Sequence, residues 1–65
     1  MKIKIRTVRK QKHMTIIQLE RLSGISRAEI SDIETGKKIP TAYTLCAIAK
    51  ALGVTICTII SCDDN

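Results

Sequence analysis

The sequence predicts an all-α fold, a compact domain of five short helices. Four serine or threonine residues occupy positions typical of helix N-caps, and three glycines occupy positions where helices end. The composition agrees, because the apolar residues are almost all aliphatic and Tyr43 is the only aromatic residue. The 65 residues suffice for one small domain and leave no room for a deep substrate cleft.

The N-cap candidates and the glycines set the helix boundaries. A Ser or Thr side chain at an N-cap accepts a hydrogen bond from an amide of the first turn, and glycine adopts the left-handed conformation that ends a helix. Two candidates extend to capping boxes, Thr15 with Gln18 and Ser26 with Glu29. The N-cap candidates are Thr15, Ser26, Thr41 and Thr55, and the glycines are Gly24, Gly36 and Gly53.

The first three helices are predicted at 5–12, 16–23 and 27–35. Helix 5–12 lacks an N-cap, and the alternation of basic and apolar residues over 2–5 is also typical of a strand. Helices 16–23 and 27–35 are joined by a very short connection that contains Gly24. Two helices joined in this way are typical of a helix-turn-helix, here at about 16–35. Gly24 is the turn glycine of this motif.

The last two helices are predicted at 42–52 and 56–61, within a domain that covers 5–60. A short acidic tail, 61–65, with Asp63 and Asp64, follows. The 3.6-residue period places the following side chains inward: Ile5, Val8, Leu19, Leu22, Ile30, Ile33, Leu45, Ile48, Ala49, Leu52, Ile56 and Ile59.

One face of helix 27–35 is predicted to be exposed, short and polar. With Ile30 and Ile33 inward, a turn of about 100° per residue puts the other positions outward. Such a face suits a helix that enters the major groove of DNA, although an ordinary solvated face would have the same composition. The outward residues are Ala28, Ser31, Asp32 and Thr35, flanked by Arg27.

Three segments of the chain together form a recognisable pattern: Met14-Thr15-x-x-x-Leu19-x-x-Leu22-x-Gly24-Ile25-Ser26, Ile30-Ser31-x-Ile33-Glu34-x-Gly36-Lys37-Lys38-x-Pro40 and Leu45-x-x-Ile48-Ala49-Lys50-Ala51-Leu52-Gly53-Val54. Through these segments the chain resembles the phage repressor and Cro-like (XRE-type) helix-turn-helix regulators over about residues 5–60. The resemblance implies a lambda-repressor-like five-helix domain whose third helix reads a double-stranded DNA operator in the major groove, usually as a homodimer.

The resemblance also implies roles for individual residues. An arginine of the first helix pairs with a glutamate near the end of the third, and these positions fall on Arg9 and Glu34. Base contacts fall on Arg27, Ala28, Ser31 and Asp32. Phosphate contacts fall on Thr15, Ile17 (through amides at the helix start) and Thr35. Lys37 and Lys38 follow Gly36 in a loop and suit phosphate contacts, although an ordinary solvated loop would have the same composition.

The chain departs from the family pattern at two positions of helix 16–23. Ile16 stands where the family usually has a glutamine that contacts phosphate, and Glu20 stands where it has a small alanine. The helix 27–35 is also net negative, with Arg27 against three acidic residues. Affinity for DNA would therefore depend on the first helix, on the lysine loop and on matched base contacts.

Charge and cysteine content favour a cytoplasmic protein with a polyanionic partner. The net charge is +5, and residues 1–60 hold all eleven basic residues against four acidic ones. Three cysteines with no signal peptide indicate reduced thiols, and their spacing with His13 does not suit zinc. We expect no metal, no cofactor, no small-molecule ligand and no enzymatic activity. The apolar run 42–61 is not expected to span a membrane, since Lys50 at its centre would cost about 2.5–3.5 kcal/mol.

Two further expectations concern protein contacts. Helix 56–61 is apolar nearly all round, which predicts a weak homodimer through this end, although the helix could simply close the core. A rival hypothesis for the whole chain is a protein-interaction module, such as an antitoxin-like subunit, which would use Ile16, Ile17 and the stretch 56–60. Salt separates the two functions, because binding driven by phosphate contacts weakens steeply as salt rises.

Overall fold

A computed structural model describes residues 2–61 of the chain. The elements in order are β1 (Lys2–Ile3), α1 (Ile5–Gln11), α2 (Ile16–Ser23), α3 (Arg27–Glu34), α4 (Ala42–Leu52), α5 (Ile56–Ile59) and β2 (Ile60–Ser61). The predicted all-α class is confirmed, with five helices in the described part of the chain. Helices α2, α3 and α4 begin where the N-cap candidates placed them.

Two short strands pair at the limits of the described residues; the alternation over 2–5 indicated the first, whereas the second departs from the prediction. β1 and β2 are antiparallel, with Ile3 opposite Ile60, and the amide of Lys4 donates to the carbonyl of Ile59 at 2.6 Å. The predicted helix 56–61 is therefore wrong in its last two residues: α5 is a single turn, and Ile60 is already extended at φ −118°. The pairing satisfies backbone groups that the one-turn helix leaves without partners.

Ten aliphatic side chains form one core, on which all five helices pack. Five of the largest are fully enclosed, namely Ile5, Leu19, Ile30, Ile48 and Ile59. One prediction for the core is wrong, because Leu22 is 62% exposed. Ile56 packs against the core as predicted but is only partly buried. Leu22 and Ile16 lie about 60° to either side of Leu19 around α2, and the core lies on the side of Ile16.

Local backbone signals hold as predicted at most helix ends. Thr15, Ser26 and Thr41 each accept a hydrogen bond from the amide three residues on, and Thr15 and Gln18 form both bonds of a capping box. Ser26 and Glu29 form only one of the two bonds. The Thr55 hydroxyl contacts the hydroxyl of Thr58 instead of a backbone amide.

The acidic tail residues Asp63 and Asp64, and Cys62 before them, lie outside the described residues. Among the described helices, none has the length and apolar character needed to cross a membrane.

Candidate nucleic-acid interface

A tight left-handed turn connects α2 to α3. Gly24 ends α2 with φ 78°, and its amide donates to the carbonyl of Glu20 at 2.9 Å. Two residues later the Ser26 hydroxyl accepts from the amide of Glu29 at 3.2 Å and starts α3. A positive φ raises the free energy of a residue that has a Cβ atom, whereas glycine adopts it without strain. Glycine is therefore the favoured residue at this corner.

The turn presents α3 with one face buried and the other outward. Ile30 and Ile33 are buried, whereas Arg27, Ala28, Ser31 and Thr35 are exposed and Asp32 is partly exposed. The structure thus brings the residues with predicted base contacts onto one face of one helix. Apart from Arg27 at the start of the helix, the side chains on that face are short, so another surface can approach it closely.

Arg27, at the start of α3, is held by a carboxylate from α2. Glu20 Oε2 accepts from the backbone amide of Arg27 at 3.2 Å, and Glu20 Oε1 lies 3.6 Å from Arg27 Nε. The sequence left Glu20 without a role, and this contact supplies one. The sequence indicated this contact only indirectly, through an acidic residue, Glu20, where the family has a small alanine, seven residues before Arg27.

The start of α2 offers backbone amides beside an exposed threonine. The Thr15 hydroxyl accepts from the Gln18 amide at 3.1 Å, and the Thr15 carbonyl accepts from the Leu19 amide. The amides of Ile16 and Ile17 have no intrahelical acceptor, because they belong to the first turn. The Ile16 side chain packs against the core, while that of Ile17 is 44% exposed.

The loop after α3 carries the predicted lysine contacts. Gly36, at φ 84°, donates its amide to the carbonyl of Ile33, and the Lys37 amide donates to that of Asp32 at 2.8 Å, which is a Schellman motif. Both lysine side chains are exposed. Lys38 Nζ lies 3.7 Å from Glu29 Oε1, whereas Lys37 makes no ion pair among the side chains that the structure describes.

The far end of α3 is fixed by a bidentate ion pair. Arg9 donates through Nε and Nη2 to the two oxygens of Glu34 at 2.9 and 3.2 Å, and its Nη1 donates to the carbonyl of Met14 at 3.0 Å. Both side chains are nearly enclosed, at 13% and 6% exposure. The pair implied by the resemblance is thus present, and it ties α3 to α1 and to the loop before α2.

These contacts change the electrostatics expected of α3. Glu34 turns inward to Arg9, and Glu29 pairs with Lys38, so two of the three acids on the helix have a cationic neighbour. Asp32 makes no ion pair among the described side chains. The negative charge presented by the outward face is therefore smaller than the composition of the helix indicates.

Residues 5–59 match the sequence model of the Helix-turn-helix family. The chain belongs to the helix-turn-helix family. It is 35% identical to the immunity repressor protein of Bacillus phage phi105 over 88% of this chain and 40% of that protein. It is also 35% identical to an uncharacterized HTH-type transcriptional regulator of Sinorhizobium fredii, over 89% of this chain and 75% of that protein.

A solved structure shares the same helix-turn-helix fold. The restriction-modification controller protein C.AhdI from Aeromonas hydrophila superposes with a TM-score of 0.84, over 88% of this chain and 86% of that one, at 23% identity. The family comprises regulatory DNA-binding domains rather than enzymes. The chain spans less than half of the phage immunity repressor, so a relative's whole activity does not transfer with the domain.

Proposed function

We propose that this chain is a sequence-specific double-stranded DNA-binding protein, a small transcriptional regulator of the repressor kind. The observation that carries the proposal is the outward face of α3, which is polar, shallow and fixed at both ends. A helix of this form fits the major groove, where every base pair presents a distinct pattern of donors and acceptors. The family assignment supports the same function.

In this proposal, four residues of α3 read bases. The Arg27 guanidinium donates to O6 and N7 of a guanine, and the Ala28 methyl contacts the methyl of a thymine. Asp32 accepts from N4 of a cytosine, and the Ser31 hydroxyl serves as donor or acceptor. Each of these side chains is at least partly exposed in the structure, so none must leave the core to reach a base.

Phosphate contacts surround these base readers and set the position of α3. The amides at the start of α2 and the positive end of the helix dipole favour a phosphate near Thr15 and Ile17. Lys37 and Lys38 reach a second phosphate from the loop after α3, near Thr35. The Thr35 hydroxyl donates to the Ser31 carbonyl at 3.0 Å, so it must rotate to serve a phosphate.

We further propose that two copies bind a near-palindromic operator as a weak homodimer, in the cytoplasm. The segment 56–61 offers less apolar surface for the dimer contact than the sequence indicated. Ile59 is buried, and Ile56 and Ile60 pack against the core of their own domain. Sedimentation with and without operator DNA measures the assembly. A monomer at high concentration in both conditions would exclude the homodimer.

The experiment that tests DNA reading compares two substitutions against DNA selected from a random pool. Arg27→Ala should weaken the free energy of binding to the selected duplex by about 1–3 kcal/mol and relax the preference at one base pair per half-site. Lys37→Ala should weaken binding to all DNA sequences alike. It should also reduce the slope of log affinity against log salt concentration by about one. Lys37 is preferred to Lys38 as the probe because Lys38 is already engaged by Glu29.

Titration of both variants against the selected and a scrambled duplex, at two salt concentrations, decides the outcome. Identical behaviour of Arg27→Ala and Lys37→Ala would show that Arg27 reads no base. The absence of any preferred duplex would contradict the proposed function itself.

A protein-interaction module is the second candidate function. The supporting observation is that Leu22 lies exposed beside an open groove of about 320 Å³, which is also lined by Met14 and Arg21. Ile39 and Tyr43 are also exposed, at 81% and 78%. The surface expected for such a module is only partly present, since Ile16 and Ile56 pack against the core. Partner binding that persists at high salt would favour this function over DNA binding.

A further inference from the structure

One carboxylate of α2 contacts both the backbone and the side chain of Arg27. Glu20 Oε2 accepts from the Arg27 amide at 3.2 Å, while Oε1 lies 3.6 Å from Nε of the same residue. Ser26 already caps the amide of Glu29, so the two acceptors serve different amides of the first turn of α3. The contact therefore fixes where α3 begins and also restricts the Arg27 side chain.

The atoms used in this contact leave the end of the guanidinium available. Glu20 lies nearest to Nε, on the edge of the guanidinium close to the stem, so Nη1 and Nη2 remain for other partners. A guanine presents O6 and N7 side by side and is recognised by two parallel N–H groups of an arginine. A guanidinium oriented beforehand loses less conformational entropy on binding than a freely rotating one.

We propose that Glu20 is a specificity-determining positioning residue, which orients Arg27 for bidentate contact with a guanine. This inference rests on the proposed function, because it requires that Arg27 read a base. Glu20 itself touches no base in this arrangement; it acts through Arg27.

The charge of Glu20 gives the proposal a second consequence. The carboxylate is 37% exposed beside the face that would meet DNA, so it repels the phosphates of every duplex, and its orienting effect on Arg27 offsets this repulsion only where a guanine is bound. Glu20 thus weakens binding to DNA of any sequence and strengthens discrimination at one base pair. A residue that only stabilises the fold would have neither effect.

The test substitutes Glu20→Gln and compares it with Glu29→Gln. Both remove one negative charge from the same motif, but Glu29 pairs with Lys38 and does not contact Arg27. Glutamine at position 20 can still accept from the Arg27 amide, so the fold is retained, and thermal unfolding of each variant verifies this. Affinities are measured for the selected duplex, for the same duplex with the guanine replaced, and for a scrambled duplex.

For Glu20→Gln we expect the ratio of affinities for the guanine and replaced duplexes to fall by about 3-fold or more, while affinity for the scrambled duplex rises. Glu29→Gln should raise all three affinities and leave the ratio unchanged. In the Arg27→Ala background, Glu20→Gln should have no further effect on the ratio. Coupling of this kind is the signature of one residue acting through another.

Three outcomes would overturn the inference. A ratio unchanged by Glu20→Gln would reduce Glu20 to a simple charge, and a lower ratio that persists without Arg27 would assign the effect to another contact. Affinities that all fall together with the melting temperature would make Glu20 a helix cap alone. If the wild-type protein prefers no duplex, the proposed function fails, and this inference fails with it; a preferred duplex with an unchanged ratio removes the inference only.

Discussion

The two ends of α3 are each held by a glutamate–arginine contact, and the two contacts differ in almost every physical respect. At the C-terminal end, Arg9 and Glu34 form two hydrogen bonds, the shorter 2.9 Å, and are only 13% and 6% exposed. At the N-terminal end, the Arg27 and Glu20 side chains lie 3.6 Å apart at 62% and 37% exposure. One contact is enclosed and bidentate, and the other is open to water.

This difference assigns different tasks to the two contacts. A desolvated bidentate pair is disrupted only at large cost, so Arg9 and Glu34 fix the helix on the domain. An exposed pair contributes little to stability, so the contact between Glu20 and Arg27 can orient the guanidinium without adding much to the free energy of unfolding. Helix α3 is therefore anchored by the enclosed pair at its C-terminal end, whereas the open contact at its N-terminal end serves mainly to orient Arg27.

Removing the charge at the anchored end should give the largest effect. Glu34→Gln leaves the Arg9 guanidinium nearly buried without its counter-charge, and we expect a loss of about 3 kcal/mol in the free energy of unfolding. The matched substitution Glu20→Gln at the open end should cost at most about 1 kcal/mol. Urea denaturation of both variants measures the contrast, and equal losses would contradict it.

A double-mutant cycle isolates the ion pair from other effects of the substitutions. Arg9→Met and Glu34→Met should each be strongly destabilising, and the double variant should lose less than the sum of the two. Additive losses would mean that the two side chains stabilise the fold through separate neighbours.

The turn before the N-terminal end of α3 should be the next most sensitive feature. Gly24 has φ 78°, and an ideal Cβ built there meets no atom within 4 Å, so any cost of substitution comes from the backbone conformation. We expect Gly24→Val to lose about 2 kcal/mol, and Gly24→Asn to lose less, because asparagine tolerates the left-handed region. Thermal unfolding compares the two, and a valine variant as stable as wild type would show that the turn had rearranged.

The parts of the fold that were predictable from sequence are those determined by neighbouring residues. A cap hydroxyl, its partner amide and the glycine that ends a helix lie within one helix, so α2, α3 and α4 follow from local pattern. The strand at Ile60 was not predictable in this way, because it depends on pairing with Ile3 at the other end of the chain. Leu22 was misplaced because periodicity gives a helix face its direction but not its width.

The candidate interface divides along the same line. The outward position of Ser31 follows from the period of α3, and the Arg9–Glu34 pair came from the family resemblance. The contact between Glu20 and Arg27 was missed, since it crosses the turn and depends on how closely α2 approaches α3. That the outward residues bind bases stays a prediction.

The smallest expected effect is a gain in stability in the loop between α1 and α2, which contacts the Arg9 side chain. His13 is the one residue other than glycine with positive φ among the residues described, at 55°, and it turns the chain so that the Met14 carbonyl can accept from Arg9. A left-handed conformation costs a residue with a side chain about 1–2 kcal/mol, and glycine avoids this cost.

The gain from His13→Gly is reduced by the greater freedom of glycine in the unfolded chain, which costs about 0.5–1 kcal/mol. The net expectation is a rise of about 0.5 kcal/mol in the free energy of unfolding, with DNA preference unchanged because His13 lies outside α3. His13→Ala is the matched control: it removes the same exposed side chain but keeps the backbone strain, so it should change stability by less than about 0.5 kcal/mol. If the glycine variant were less stable than the alanine variant, the left-handed conformation at His13 would cost no free energy, and the expected gain would be absent.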